Sequence, residues 1–243
     1  MYAQREEAGE AASHPRRVTS FRSRRSTLSG GQQQTWDRLW PQIGTEARDA
    51  DSRPVVLDTA QWFGRRAPLI LEIGCGTGTS TAAMAQAEPD LDVIAVEVYK
   101  KGLGQLLGAI DRDGIGNIRL VRGDGVDVLE HSLSPGSLTG VRVFFPDPWP
   151  KARHHKRRLL QTETVALIAD RLKPGGILHA ATDHMGYAEH IAEVGDAEPR
   201  LRRVRPSFDG ADQLPISVAR PETKYERKAL AGPIVTELIW ERI

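Results

Sequence analysis

The chain is almost without cysteine. Cys75 is the single thiol in 243 residues, so no intramolecular disulfide can form, and a reducing, cytoplasmic setting is the expectation. It has no run approaching the ~20 consecutive apolar residues a membrane span needs, so no membrane association is expected. The first residues lack the apolar core of a signal peptide. Net charge is nearly absent as well. The 33 Lys and Arg against 32 Asp and Glu leave +1, a balance that says little about partners and turns attention to where the charges sit.

They sit unevenly. Residues 14–28 carry Arg16, Arg17, Arg22, Arg24 and Arg25 and no acid. Residues 151–158 read KARHHKRR, five Lys or Arg and two His in eight positions. Blocks of this kind are candidate phosphate contacts. Residues 1–35 are polar, rich in Ser, Arg and Gln, and read as a basic, disordered tail. Residues 36–243 read as one folded domain.

From residue 67 the pattern becomes regular. Apolar runs at 68–73, 91–98, 117–123, 141–146 and 176–182 alternate with helical stretches, among them 79–87, 103–110, 157–172 and 184–194. Strands apolar on both faces and separated by helices predict a parallel sheet covered on both sides. The segments 201–206 and 233–243 predict two more strands. The expectation is a Rossmann-like, doubly wound α/β fold with seven strands, mostly parallel, ending in an antiparallel C-terminal strand.

In such a sheet ligands bind beyond the carboxyl ends of the strands. An acid lies at or near that end of each of the five parallel strands: Glu72, Glu97, Asp124, Asp147 and Asp183. The loop after the first strand, GCGTG, carries Gly74, Gly76 and Gly78 but has Thr79 where a dinucleotide fingerprint has its third glycine. It also lacks the Lys of a phosphate loop. A pyrophosphate would face several carboxylates with no fixed cation in the loop, which is electrostatically unfavourable. A phosphate-free cofactor with a cationic centre suits the rim, and S-adenosylmethionine has that chemistry. The three glycines would let backbone approach it closely. Glu97 would accept from ribose hydroxyls, Asp124 would receive the adenine amino group, and Glu72 would lie near the amino-acid end.

The fourth strand runs into Pro146-Asp147-Pro148-Trp149-Pro150, a loop the prolines should hold in extended and turn conformations. It would present Asp147 to the cofactor, with Trp149 as a stacking or packing surface. Lys151, Arg153, His154, His155, Lys156, Arg157 and Arg158 follow directly, which brings the basic block to the cofactor edge, where a polyanionic substrate must arrive. The adjacent histidines, with no cysteine beside them, do not have metal-ligand spacing, so no metal is expected. Cys75 has no basic neighbour in sequence and reads as a packing residue.

LEIGCGTG, PDPWPK followed by the basic block, LKPGG, Thr182-Asp183 and RPETKYE together resemble the bacterial tRNA (guanine-N7-)-methyltransferases, from about residue 18 to residue 243. The resemblance implies cofactor binding by Glu72, Glu97, Asp124 and Asp147, with Asp147 catalytic. It implies substrate contacts by Lys151, Asp183, Thr223, Lys224, Tyr225 and Glu226, and RNA contacts by residues 153–158. It also implies a guanine in the tRNA variable loop, at position 46, as acceptor. A monomer or a homodimer is compatible with the sequence. The nearest rival is a methyltransferase acting on an exocyclic amine, which has a second proline where this chain has Trp149. A rival of another class is a non-catalytic RNA-binding module that retains the fold.

Overall fold

A computed structural model describes residues 27–205, 214–221 and 234–243. The expected contacts Thr223, Lys224, Tyr225 and Glu226 and the five arginines of the N-terminal block lie outside the described residues. In chain order the elements are α1 (Gly30–Ile43), β1 (Gly44–Glu46), α2 (Thr59–Phe63), β2 (Leu69–Ile73), α3 (Thr79–Ala87), β3 (Asp92–Glu97), α4 (Lys100–Asp113), β4 (Ile118–Arg122), α5 (Gly125–Asp127), β5 (Leu138–Phe144), α6 (Thr162–Arg171), β6 (Leu172–Thr182), α7 (Met185–Ala197), β7 (Leu201–Val204) and β8 (Thr236–Arg242). A π-helical turn at Val128–Ser132 and a 3-10 turn at Ala152–Arg157 complete them.

The strands form one sheet in the order β1-β4-β3-β2-β5-β6-β8-β7. The first six run parallel to one another, and β8 runs antiparallel to both β6 and β7. From β2 the chain winds outward through β3 and β4, then returns to build the other half from β5. The junction of β2 and β5 is therefore the topological switch point, where an open α/β sheet has its crevice.

Alternation along the buried strands divides the core. Leu71, Ile94 and Val141 pack with Val165 and Ile168 of α6 and Tyr187 and Ile191 of α7. Ile70, Val93 and Ala95 pack on the opposite face with Trp36 of α1, Ala82 of α3 and Leu103, Leu106 and Leu107 of α4. All residues of β2, β3 and β5 are buried, as a sheet with helices on both faces requires.

Three expectations are corrected. The sheet has eight strands rather than seven. The extra one, β1, is a three-residue edge strand paired with β4 through Gly44 and Leu120, too short and too polar to carry an alternation signal. The boundary expected at residue 36 falls inside α1, which starts at Gly30 behind a capping box. The Ser29 hydroxyl accepts from the Gln32 N–H, and the Gln32 side chain accepts in return from the Ser29 N–H. Trp36 and Trp40 of this helix stack at 4.1 Å, with the Lys100 ammonium over Trp36, and Leu28, inside the expected tail, lies against Gly104 of α4. The strand expected at 176–182 begins earlier, at Leu172; in its first residues the register against β5 shifts between Leu138 and Gly140, and Gly175 adopts φ +78°.

Candidate active site

A cavity of ≈ 780 Å³ opens over the carboxyl ends of β2, β3, β4 and β5. One wall is the glycine loop. Gly74, Gly76 and Gly78 have φ of +77°, +57° and +72°, in the left-handed region that glycine enters without a steric penalty. A Cβ at Gly74 or Gly76 would meet nothing within 4 Å, so their backbone faces open space. Gly74 and Gly76 line the cavity; Gly78, which sits against Leu106 as the N-cap of α3, is not part of the lining.

Glu97 holds this loop. Its Oε2 accepts from the Gly76 N–H at 2.9 Å, and its Oε1 accepts from the N–H groups of Val98 at 2.7 Å and Tyr99 at 3.1 Å. The carboxylate thus organises the turn between β3 and α4, and Oε2 keeps lone-pair capacity for a ribose hydroxyl. Asp124 caps α5 by accepting from the Val126 N–H at 2.8 Å and borders the same cavity.

The opposite wall is the proline loop. Phe145 and Trp149 have φ of +50° and +44°, a left-handed conformation uncommon outside glycine and costly for bulky residues. The prolines do not confine the loop to extended and turn backbone as expected; Phe145 and Trp149, two residues to either side of Asp147, are strained. Asp147 is exposed and lines the cavity, and no hydrogen-bond donor engages its carboxylate among the described residues. Trp149 also lines it. The Arg157 guanidinium covers the Trp149 ring at 5.0 Å and the His154 ring meets it edge-on at 5.6 Å, so much of the expected stacking surface is already covered. The Trp149 indole N–H is buried without an acceptor.

Of the five acids, Glu97, Asp124 and Asp147 share the cavity. Glu72 points to the other face of β2. It is 3% exposed, its Oε1 accepts from the Thr81 hydroxyl at 3.0 Å, and its Oε2 has no partner. Burial raises its pKa, against the attraction of Arg142. Asp183 lies beyond the end of β6, outside the lining, two residues after the Ala181 carbonyl that accepts from the Phe145 N–H at 2.8 Å.

The basic block divides. Lys151, Arg153, Lys156 and Arg157 are exposed, His154 and His155 are half-buried, and Lys156, Arg157 and the buried Arg158 border the cavity. Partial desolvation and the cations of Arg157, Arg153 and Lys151 lower the pKa of His154. Arg158, expected among the RNA contacts, is 5% exposed, and its guanidinium donates to the Pro148 carbonyl at 2.9 Å and the Gly186 carbonyl at 3.2 Å. Arg158 follows the end of the 3-10 turn, whose own residues are none of them buried, and turns inward. Sequence reasoning missed Tyr99 and the start of α6, where Gln161, Glu163 and Thr164 line the cavity. The two-residue spacing of Tyr99 from Glu97 was the available signal; the α6 residues carried none. Cys75 is buried, and burial pushes its thiol well up, consistent with packing. Among the described residues Asp127, Glu130 and His131 form one cluster of potential metal ligands; Asp127 pairs with Arg48 at 2.7 Å and both Glu130 and His131 are exposed.

These residues fit a cationic, phosphate-free cofactor. The open glycine backbone and Glu97 suit an adenosine, and the three carboxylates that share the cavity suit a sulfonium. No helix among the described residues is long and apolar enough to cross a membrane.

Residues 66–233 match the family model described as "Putative methyltransferase". A curated tRNA (guanine-N(7)-)-methyltransferase of Mycobacterium sp. (strain KMS) is 75% identical over 234 residues, covering 96% of this chain and 84% of the relative. The protein of that name from Mycolicibacterium gilvum (strain PYR-GCK) is 74% identical over 237 residues, covering 94% and 89%. That from Mycobacterium bovis (strain BCG / Pasteur 1173P2) is 65% identical over 228 residues, covering 92% and 85%.

Proposed function

Because the chain belongs to the family of tRNA (guanine-N(7)-)-methyltransferases, we infer that it methylates N7 of guanine 46 in the variable loop of tRNA, using S-adenosylmethionine. The observation that carries this reading is the convergence of Glu97, Asp124 and Asp147 on one cavity whose rim also bears Lys156 and Arg157. The cofactor supplies a methyl group on a cationic sulfur. Guanine N7 carries an unprotonated lone pair at neutral pH, so the protein has no proton to remove before attack. Its work is positioning and electrostatics.

Asp147, with its carboxylate uncommitted, accepts from the guanine N1–H or N2–H₂ edge and offsets the positive charge that grows on the base. Asp183, at the neighbouring strand end, takes the other donor. Gly74 and Gly76 offer backbone to the cofactor, Glu97 accepts from its ribose, Asp124 receives its adenine amino group, and Glu72 contributes from below. Lys151, Thr223, Lys224, Tyr225 and Glu226 hold the substrate, and Arg153, Lys156 and Arg157 meet the phosphates.

The test is transfer of labelled methyl to unmodified tRNA, followed by nucleoside analysis. N7-methylguanosine at position 46 is expected. Label on an exocyclic amine, or no transfer, rejects the reading. Asp147→Ala should leave tRNA affinity nearly intact and reduce methyl transfer by about 100-fold or more; unchanged turnover would remove Asp147 from the chemistry.

A further inference from the structure

The proline loop cannot hold itself. Pro146, Pro148 and Pro150 have no N–H to donate, and Phe145 and Trp149 sit in the left-handed region. A strained loop persists only where its surroundings impose it. Two hydrogen bonds from outside do so among the described residues. The Phe145 N–H donates to the Ala181 carbonyl at 2.8 Å before Asp147, and Arg158 Nε donates to the Pro148 carbonyl at 2.9 Å immediately after it.

Arg158 is in turn fixed. Its Nη1 donates to the Gly186 carbonyl at 3.2 Å, and its guanidinium lies 4.8 Å from the centre of the Tyr187 ring. Tyr187 is itself pinned, because its hydroxyl accepts from the Leu160 N–H at 3.1 Å. Burial pushes that hydroxyl up to about 12, so the ring stays neutral beneath the cation. The chain of contacts runs from the rigid start of α7 through one buried guanidinium to the residue next to Asp147.

We propose that Arg158 is the positioning residue of the methyl-transfer site: its guanidinium, anchored on Gly186 and Tyr187, clamps the Pro148 carbonyl and so fixes Asp147 against the cavity. It does not bind phosphate, unlike its neighbour Arg157. The proposal rests on the reading of Asp147 as the group that meets the base. A lysine cannot replace it, since one ammonium on a flexible stem does not reproduce a planar fork that donates to two carbonyls and stacks on a ring.

The test compares Arg158→Lys, Arg157→Gln, Asp147→Asn and the Asp147→Asn/Arg158→Lys double variant in full-length protein with unmodified tRNA. The readouts are kcat at saturating tRNA, tRNA Kd at several salt concentrations, and S-adenosylmethionine affinity. Arg158→Lys should lower kcat by about 100-fold, as a misplacement near 1 Å does, with tRNA Kd and its salt slope within about twofold of wild type. Arg157→Gln should instead weaken tRNA affinity and reduce the salt slope by about one. In the Asp147→Asn background, Arg158→Lys should cost less than about threefold further, because the group it positions is already gone.

Several results overturn the assignment. They are a weakened, salt-flattened tRNA affinity in Arg158→Lys with kcat retained, an unchanged kcat, or rate losses that multiply in the double variant. If Arg158→Lys does not fold, Arg158→Met takes its place, keeping stem volume beside Tyr187 without a buried charge. Failure of both to fold assigns Arg158 to general stability instead. Absence of N7-methylguanosine in wild type, or full activity in Asp147→Asn, refutes the underlying reading. Full activity in Arg158→Lys alone refutes only the positioning role.

Discussion

The two loops that face each other across the switch point solve one problem with opposite chemistry. The glycine loop after β2 is rich in N–H donors, and an anionic acceptor holds it: the Glu97 carboxylate accepts from Gly76. The proline loop after β5 is poor in donors, and a cationic donor holds it: the Arg158 guanidinium donates to Pro148. Each clamp is dictated by what the loop's backbone can still offer. Glycine leaves both hydrogen-bonding groups and an open surface, so its loop can be braced from one side and remain available to a ligand on the other. Proline leaves only its carbonyl, so at those positions the loop must be braced by an outside donor, here the Arg158 guanidinium.

The largest expected effect tests the brace of the glycine loop. Gly102, in the first turn of α4, lies so close beneath that a Cβ there would stand 2.2 Å from the Gly76 carbonyl oxygen. That atom is backbone and cannot swing aside. Gly102→Ala should therefore push Gly76 away from Glu97 and weaken S-adenosylmethionine binding by about 100-fold, roughly 2.7 kcal/mol, as read by calorimetry. The tRNA Kd should hardly move, because the basic rim belongs to the other loop. Equal losses for both ligands would show that the two walls are one mechanical unit and break the comparison.

A smaller effect separates surface from support within the basic block. Replacing exposed Arg153 and Lys156 with Gln should weaken tRNA binding several-fold at low salt. The slope of log K against log salt should fall by about one for each phosphate that is no longer neutralised. Thermal stability should stay within about 0.5 kcal/mol, as for surface changes remote from structural features. An unchanged slope would mean that this rim faces solvent alone.

Most of the fold was legible because its signals are local. Continuous apolar runs such as LILEI and DVIAVE mark strands buried on both faces, and the helices between them force parallel order. The acids at the ends of β3, β4 and β5 were legible for the same reason: a residue at a strand end has little choice of direction. Glu72 was not, since one step along β2 reverses the face, and the strand ends at Ile73 rather than at the acid. Arg158 was hidden by its company. In sequence it is the last of five cations, and only the fold shows its guanidinium turned toward Pro148 while Arg157 lies over Trp149. The strain at Phe145 and Trp149 was invisible too, because nothing in an aromatic residue's identity announces a positive φ.

The smallest expected effect asks whether the prolines or the clamp set the loop. Pro148→Ala keeps the carbonyl that Arg158 grips and adds an N–H. It removes the ring that limits φ and so widens the unfolded ensemble. If the clamp dominates, the folded loop is unchanged and the loss is chiefly entropic. Stability should fall by about 0.4–1 kcal/mol, measured by denaturant titration, with kcat lowered no more than a few-fold. If the ring dominates, Asp147 loses its place with the carbonyl bond intact, and kcat should fall as far as in Arg158→Lys. The ratio of those two kcat values therefore measures how much of the loop's geometry is written in its own prolines and how much is imposed by the arginine beneath it.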